Sequence, residues 1–146
     1  MKAQTELRAA QVVASARSWI GTPYHHQASV KGVGADCLGL VRGVYREVMG
    51  REPERAPPYT RDWGETDGEE TLLKAARRHF REVSLNSPQP GDLIVFRVRP
   101  GTIAKHAALL VSPATIVHAM EGTLAAEVAF SCWWRRRVAG VFRFPD

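Results

Sequence analysis

The chain has 146 residues, 45% of them hydrophobic and 24% charged, with a formal net charge of +5. That length fits one domain over residues 1–146, able to bury a core without a disulfide or metal to support it. No apolar run approaches the roughly 18 residues of a membrane-spanning helix, and the opening MKAQTELRAAQVVASARSW lacks the apolar stretch and cleavage pattern of a secretory signal, so no membrane insertion and synthesis in the cytoplasm are expected.

In chain order, residues 5–20 carry Ala9, Val12, Val13, Ala16, Trp19 and Ile20 at helical spacing. Thr5 is placed to cap that helix, and Gly21 and Pro23 to end it. Residues 21–35 read as a Gly-rich polar loop with Tyr24, His25 and His26. A second helix is expected from about Asp36 to Met49, striped by Leu40, Val41, Val44, Tyr45 and Val48 and stopped by Gly50. Residues 51–66 are rich in proline and charge and read as loop. Thr66 with Glu69 offers a capping box for a third helix ending near Phe80. The texture then changes. QPGDLIVFRV, KHAALLVS, TIVHAM, AEVAF and VAGVFRF are short β-rich runs separated by turn residues. Helices first and an antiparallel sheet afterwards define an α+β domain.

Two cysteines, Cys37 and Cys132, are present, with no Cys-x-x-Cys or His-x-x-x-His spacing to suggest zinc, and both are read as reduced thiols. Cys37 sits in GADCLGLVRGVY, in the first turn of the second helix. It is either a small buried hydrophobe or a nucleophile. The second role requires a thiolate, which a helix N-terminus and a neighbouring histidine favour. The unpaired N–H groups of that turn also suit an oxyanion hole, and Gly32 and Gly34 leave the backbone free to turn and make room for a substrate. A nucleophile further needs a base, and the base an orienting partner.

Of five histidines, His25 and His26 lie in a polar loop and His79 lies among arginines. His106 and His118 both fall in apolar strand-like runs. They are twelve residues apart, which suits adjacent antiparallel strands joined by the turn SPAT. Such a hairpin sets two imidazoles side by side, so that one orients the other. Together with a cysteine at a helix start, this favours the nucleophile reading.

WIGTPYHHQASVKGVGADCLGLVRGVY, QPGDLIVF, KHAALLV and IVHAMEG resemble, in order and spacing, the NlpC-type (NlpC/p-sixty) cell-wall cysteine peptidases. The resemblance implies a papain-like fold with a Cys-His-His triad. Cys37 falls on the nucleophile, His106 on the base and His118 on the residue that orients it. Tyr24 falls on the tyrosine of the GTPY motif at the cleft. Asp36 falls on a position that contacts substrate in several relatives. It also implies hydrolysis of amide bonds in peptidoglycan stem peptides, commonly between D-glutamate and diaminopimelate, with no metal or organic cofactor. One position departs: many relatives carry serine directly after the cysteine, helping to hold a free amine, where this chain has Leu38. The short chain is similar to the branch encoded beside tail genes in phages and gene transfer agents. This implies phage-like tail proteins as partners and action on the periplasmic wall from within a particle.

Other readings stand beside it: a tail-tip docking module with little activity, or a thiol amidase or acyltransferase on another substrate. The arginine clusters Arg77–Arg78–His79–Phe80–Arg81 and Arg135–Arg136–Arg137 could attract a polyanion. Without a recognition motif, nucleic acid is the weakest partner, and solvated arginines are the plainer account. Cys132 reads as a small buried hydrophobe. Trp133 and Trp134, followed by three arginines, read either as a stacking or cation–π surface for a glycan, wall polymer or protein partner or, more plainly, as one core tryptophan with the arginines as rim. Asp92 belongs to the turn before a strand, so it forms no acid/base dyad with Asp36.

Overall fold

In the computed structural model, which describes residues 2–54 and 68–146, the chain begins with α1 (Lys2–Ser18). Val12 and Ala16 carry its buried face. The helix starts earlier than expected because Lys2, Ala3 and Gln4 are good helix formers. Thr5 therefore lies inside the helix and does not cap it; its hydroxyl donates to Asp146 Oδ1 at 3.2 Å. Trp19 is buried just beyond the helix, whereas Ile20 turns outward and is largely exposed.

The segment expected to be loop contains a two-stranded ribbon, β1 (Ser29–Val30) and β2 (Gly34–Ala35), turning through Gly32 at φ +76°. A Cβ on Gly34 would lie 2.7 Å from the Cβ of His25, so this glycine makes room for His25 and not for a substrate.

α2 (Cys37–Met49) follows, with Asp36 as N-cap and Gly50 as left-handed C-cap at φ +76°. Leu40, Val41, Val44 and Tyr45 are buried along it. α1 and α2 approach closely at Gly43, where a Cβ would lie 2.1 Å from the Trp19 indole. α3 (Thr71–His79) has Glu70 as N-cap, with no side-chain cap bond. Of the expected capping box, Thr66 lies outside the described residues, and Glu69 instead pairs with Lys74 at 2.9 Å.

The rest of the chain is β3 (Arg81–Val83), β4 (Leu93–Phe96), β5 (His106–Ser112), β6 (Thr115–His118), β7 (Ala126–Ala129), the single-turn helix α4 (Cys132–Arg135) and β8 (Val138–Arg143). They form an antiparallel six-stranded sheet in the order β3-β8-β4-β5-β6-β7. The last strand thus enters between β3 and β4, where Arg143 makes a two-point ion pair with the buried Asp92 at 2.8 and 2.9 Å. The fold is the α+β arrangement expected, with the β1–β2 ribbon, β3 and α4 in addition to the elements expected.

Strand alternation divides the sheet into two cores. Leu93, Val95, Ala107, Leu109, Val111 and Val117 face α1 and α2. Ile94, Phe96, Ala108, Leu110 and Ile116 face the other way, where Phe130 and Trp134 cover them. α4 exists to close that second face. Its first residue, Cys132, is exposed and not buried as expected, because Trp134 takes the inward position.

Candidate active site

The start of α2 is built around Asp36. Its Oδ1 accepts the Gly39 N–H at 2.7 Å, and its Oδ2 accepts the Gln27 N–H at 2.8 Å. The first bond is the N-cap interaction that orients the opening turn; the second ties the preceding loop to it. Asp36 is only 3% exposed, so the residue expected to meet substrate is first of all the support of the next residue.

Cys37, half-buried, opens α2 and points its sulfur at the end of β5, where the thiol donates to the Lys105 carbonyl at 3.7 Å. Burial and the adjacent Asp36 carboxylate push the thiol up to about 12; the backbone N–H groups of Ala107, Leu38 and Cys37 oppose that rise without cancelling it. The thiolate that a helix start and a neighbouring histidine favour is thus opposed here by burial and by the Asp36 carboxylate.

His106 is the first residue of β5, next to the carbonyl that holds Cys37. Continuing the Leu109–Val117 register places His118 opposite Ala108, so the two imidazoles are diagonal neighbours on one face of the hairpin. His106 Nε2 and His118 Nδ1 lie 3.0 Å apart. For His106 to act as a base, Nε2 must carry its proton and donate to His118, which leaves Nδ1 as the accepting nitrogen. Burial, then the neighbouring His118, pushes the His106 imidazole down to about 3, and burial also lowers His118. The resting site is thus a neutral thiol with a neutral imidazole pair.

Tyr24, His26, Asp36, Cys37, Leu38, Lys105, His106, Ala119, Met120 and Glu121 line one cleft of about 190 Å³. The structure therefore brings Tyr24, Asp36, Cys37 and His106 to a common cavity, with His118 bonded behind His106. Leu38 contributes an apolar wall and also packs on the helix-side core.

His26, Lys105, Met120 and Glu121 were not singled out as cleft residues, although Lys105 precedes His106 directly in sequence. The other omission is Trp134, whose indole stacks on His106 with centroids 5.3 Å apart at 27°. Nothing local in sequence marks that contact. Among the described residues, no three His, Cys, Asp or Glu side chains cluster so as to hold a metal ion, and no helix is long and apolar enough to cross a membrane.

Helices packed on an antiparallel sheet, with a cysteine at a helix start and a histidine pair on one hairpin lining a shared cleft, define an α+β fold of one recognisable class. Residues 21–143 match the NlpC/P60 family, and the chain belongs to that family. Its fold is similar to the NlpC/p60 domain of the peptidoglycan hydrolase SagA, at 23% identity and TM-score 0.67, covering 93% of this chain and 98% of that one. An NlpC/P60 family protein from Bacillus cereus gives 19% identity and TM-score 0.68, with 93% of this chain on 40% of that one. The peptidoglycan hydrolase RipB from Mycobacterium tuberculosis gives 20% identity and TM-score 0.67, with 100% of this chain on 69% of that one. No curated protein matches the chain.

Proposed function

We propose that the protein is a cysteine peptidase that hydrolyses amide bonds in peptidoglycan stem peptides. One observation carries the reading: Cys37, at the first residue of α2, and His106, bonded through Nε2 to His118, line a single cleft. Family membership supports the substrate class.

The chemistry follows from the neutral resting pair. When a substrate amide enters, His106 Nδ1 takes the thiol proton as the sulfur bonds to the carbonyl carbon. His118 stabilises the imidazolium that forms. The carbonyl oxygen becomes an oxyanion beside the Cys37 and Leu38 N–H groups at the helix start. Collapse breaks the C–N bond, with the His106 proton going to the leaving amine. Water then attacks the thioester, giving one proton to His106; as the C–S bond breaks, His106 returns that proton to the departing sulfur, which releases the acid and restores the free thiol and the neutral imidazole. Tyr24 and Asp36 are assigned to substrate contact from the cleft wall. The bond between D-glutamate and diaminopimelate is the expected target. Leu38 offers an apolar surface where relatives use a serine hydroxyl to hold a free amine.

Digestion of purified peptidoglycan followed by mass spectrometry of the released muropeptides tests the reading. Cys37→Ala and His106→Ala are expected to lose activity by at least about a thousandfold, the scale lost on removing a nucleophile or base. Full activity in either variant would refute the mechanism. The finer setting, a tail component of a phage-like particle that reaches the periplasmic wall, rests on the sequence resemblance. Finding the protein in purified particles would support it, and finding it only outside them would count against it.

A further inference from the structure

The WWRRR segment, read from sequence as core and rim, is arranged around the histidine hairpin. Besides its chain neighbour Trp133, Trp134 makes three ring contacts: stacked on His106, edge-on to His118 at 5.4 Å and 83°, and against Phe96 at 4.8 Å. Phe96 itself lies 5.9 Å from the His106 ring. The indole thus touches both members of the hydrogen-bonded pair on the side of the sheet away from α2.

The segment that carries it is anchored to the same hairpin. Arg135 donates through Nε to the Phe130 carbonyl at 2.8 Å and through Nη2 to the Pro113 carbonyl, in the β5–β6 turn, at 3.1 Å. Arg137 donates to the Trp133 and Val98 carbonyls, and its guanidinium lies 3.7 Å from the Trp133 ring centroid. Trp133 in turn meets Trp134 edge-on at 4.8 Å. The hairpin is therefore held at its turn by Arg135 and at its histidine end by Trp134.

We propose that Trp134 is a positioning residue for the His106–His118 pair, holding the two ring planes in hydrogen-bonding geometry and keeping water off the bond between them. The inference rests on the peptidase reading for its purpose but not for its test. An imidazole that turns about χ2 loses its bond to His118 and with it the tautomer that leaves Nδ1 accepting. Packing one face of the ring against a rigid indole removes that freedom, and the edge contact fixes the partner. Exclusion of water by the indole accounts for part of the burial that holds His106 neutral. The cation–π attraction of an indole for an imidazolium acts in the opposite sense, against the lowering that burial produces.

The test uses the full chain and imidazole NMR, which needs no substrate. In wild-type protein at neutral pH, His106 is expected to show one fixed tautomer, protonated at Nε2. The Trp134 indole N–H resonance is expected to shift with the same pH midpoint as the His106 ring. Trp134→Phe, which keeps a ring, should preserve the tautomer. Trp134→Met, similar in apolar character but without a ring, should give averaged tautomers and raise the His106 midpoint by one pH unit or more.

On wall substrate, Trp134→Met should lower kcat with KM little changed. An indole resonance indifferent to the His106 titration overturns the proposal without any variant. So does a folded Trp134→Met protein with wild-type tautomer and midpoint. A wild-type protein inert on peptidoglycan would sink the peptidase reading instead, and the NMR result would stand apart from it.

Discussion

At Cys37 two opposing influences meet. A helix N-terminus favours an anion by about 0.3–1 kcal/mol, and by about 2 kcal/mol in favourable buried geometry, which is at most about 1.5 pH units. Burial and the Asp36 carboxylate act the other way and are larger, so the thiol is pushed up to about 12. Asp36, which caps the helix that Cys37 opens, also discourages ionisation of that thiol. In the proposed mechanism, proton transfer to His106 therefore belongs to the encounter with substrate and not to the resting site. Alkylation by iodoacetamide in a Cys132→Ser background is expected to be slow at neutral pH and to climb with pH through the alkaline range. A plateau of fast alkylation between pH 5 and 7 would reveal a standing thiolate–imidazolium pair and contradict this description.

Elements place these residues through close packing. Gly43 has no room for a methyl group against Trp19, and Trp19 Nε1 donates to Glu47 Oε1 at 3.2 Å, so α1 and α2 interlock at this point. Gly43→Ala, which would raise the intrinsic propensity of an isolated helix, is expected instead to destabilise by about 1–3 kcal/mol, read by denaturant unfolding. A stability equal to or above wild type would show that the two helices can part without cost.

Much of this architecture was legible in the sequence. Amphipathic spacing marked α2, Gly50 marked its end, and the spacing of His106 and His118 marked the hairpin. The two-residue strands β1 and β2 and the one-turn α4 are too short to show a period. The stacking of Trp134 on His106 joins residues distant in the chain, so no local pattern could announce it. Asp36 was legible twice, as a helix start and as a cleft residue, and the structure displays the first role in its two backbone bonds.

For the whole molecule, protonation links the site to stability. His106 is held down to about 3, against about 6.5 in an unfolded chain. Between those values the unfolded chain binds a proton that the folded one refuses, so stability rises with pH and is lost as pH falls below about 6.5. His118 acts in the same direction. Glu54, held down to about 2 by Arg78 and His79, contributes stability that is lost only below the ordinary carboxylate range. The window from about pH 6.5 to 4.5 thus belongs largely to the histidines. Thermal unfolding is expected to show a smaller fall in Tm from pH 7 to 5 for His106→Gln than for wild type; an equal fall would separate the site from global stability. The positive charge of the chain is also partly committed inside the molecule. Arg77 and Arg78 pair with Glu82 and Glu54, and Arg135 and Arg137 bond backbone carbonyls.

The hydrogen bond from the Cys37 thiol to the Lys105 carbonyl bears on how the protein survives oxidants. Peroxide attacks thiolates, so a half-buried sulfur that keeps its proton is a poor target. Cys132, exposed at the start of α4, is the more accessible thiol. Brief treatment with dilute hydrogen peroxide should leave Cys37 reduced while Cys132 acquires oxygen, as read by peptide mass spectrometry. Preferential oxidation of Cys37 would mean that the resting sulfur is already ionised. A thiol kept protonated gives up some immediate reactivity and gains resistance to oxidants.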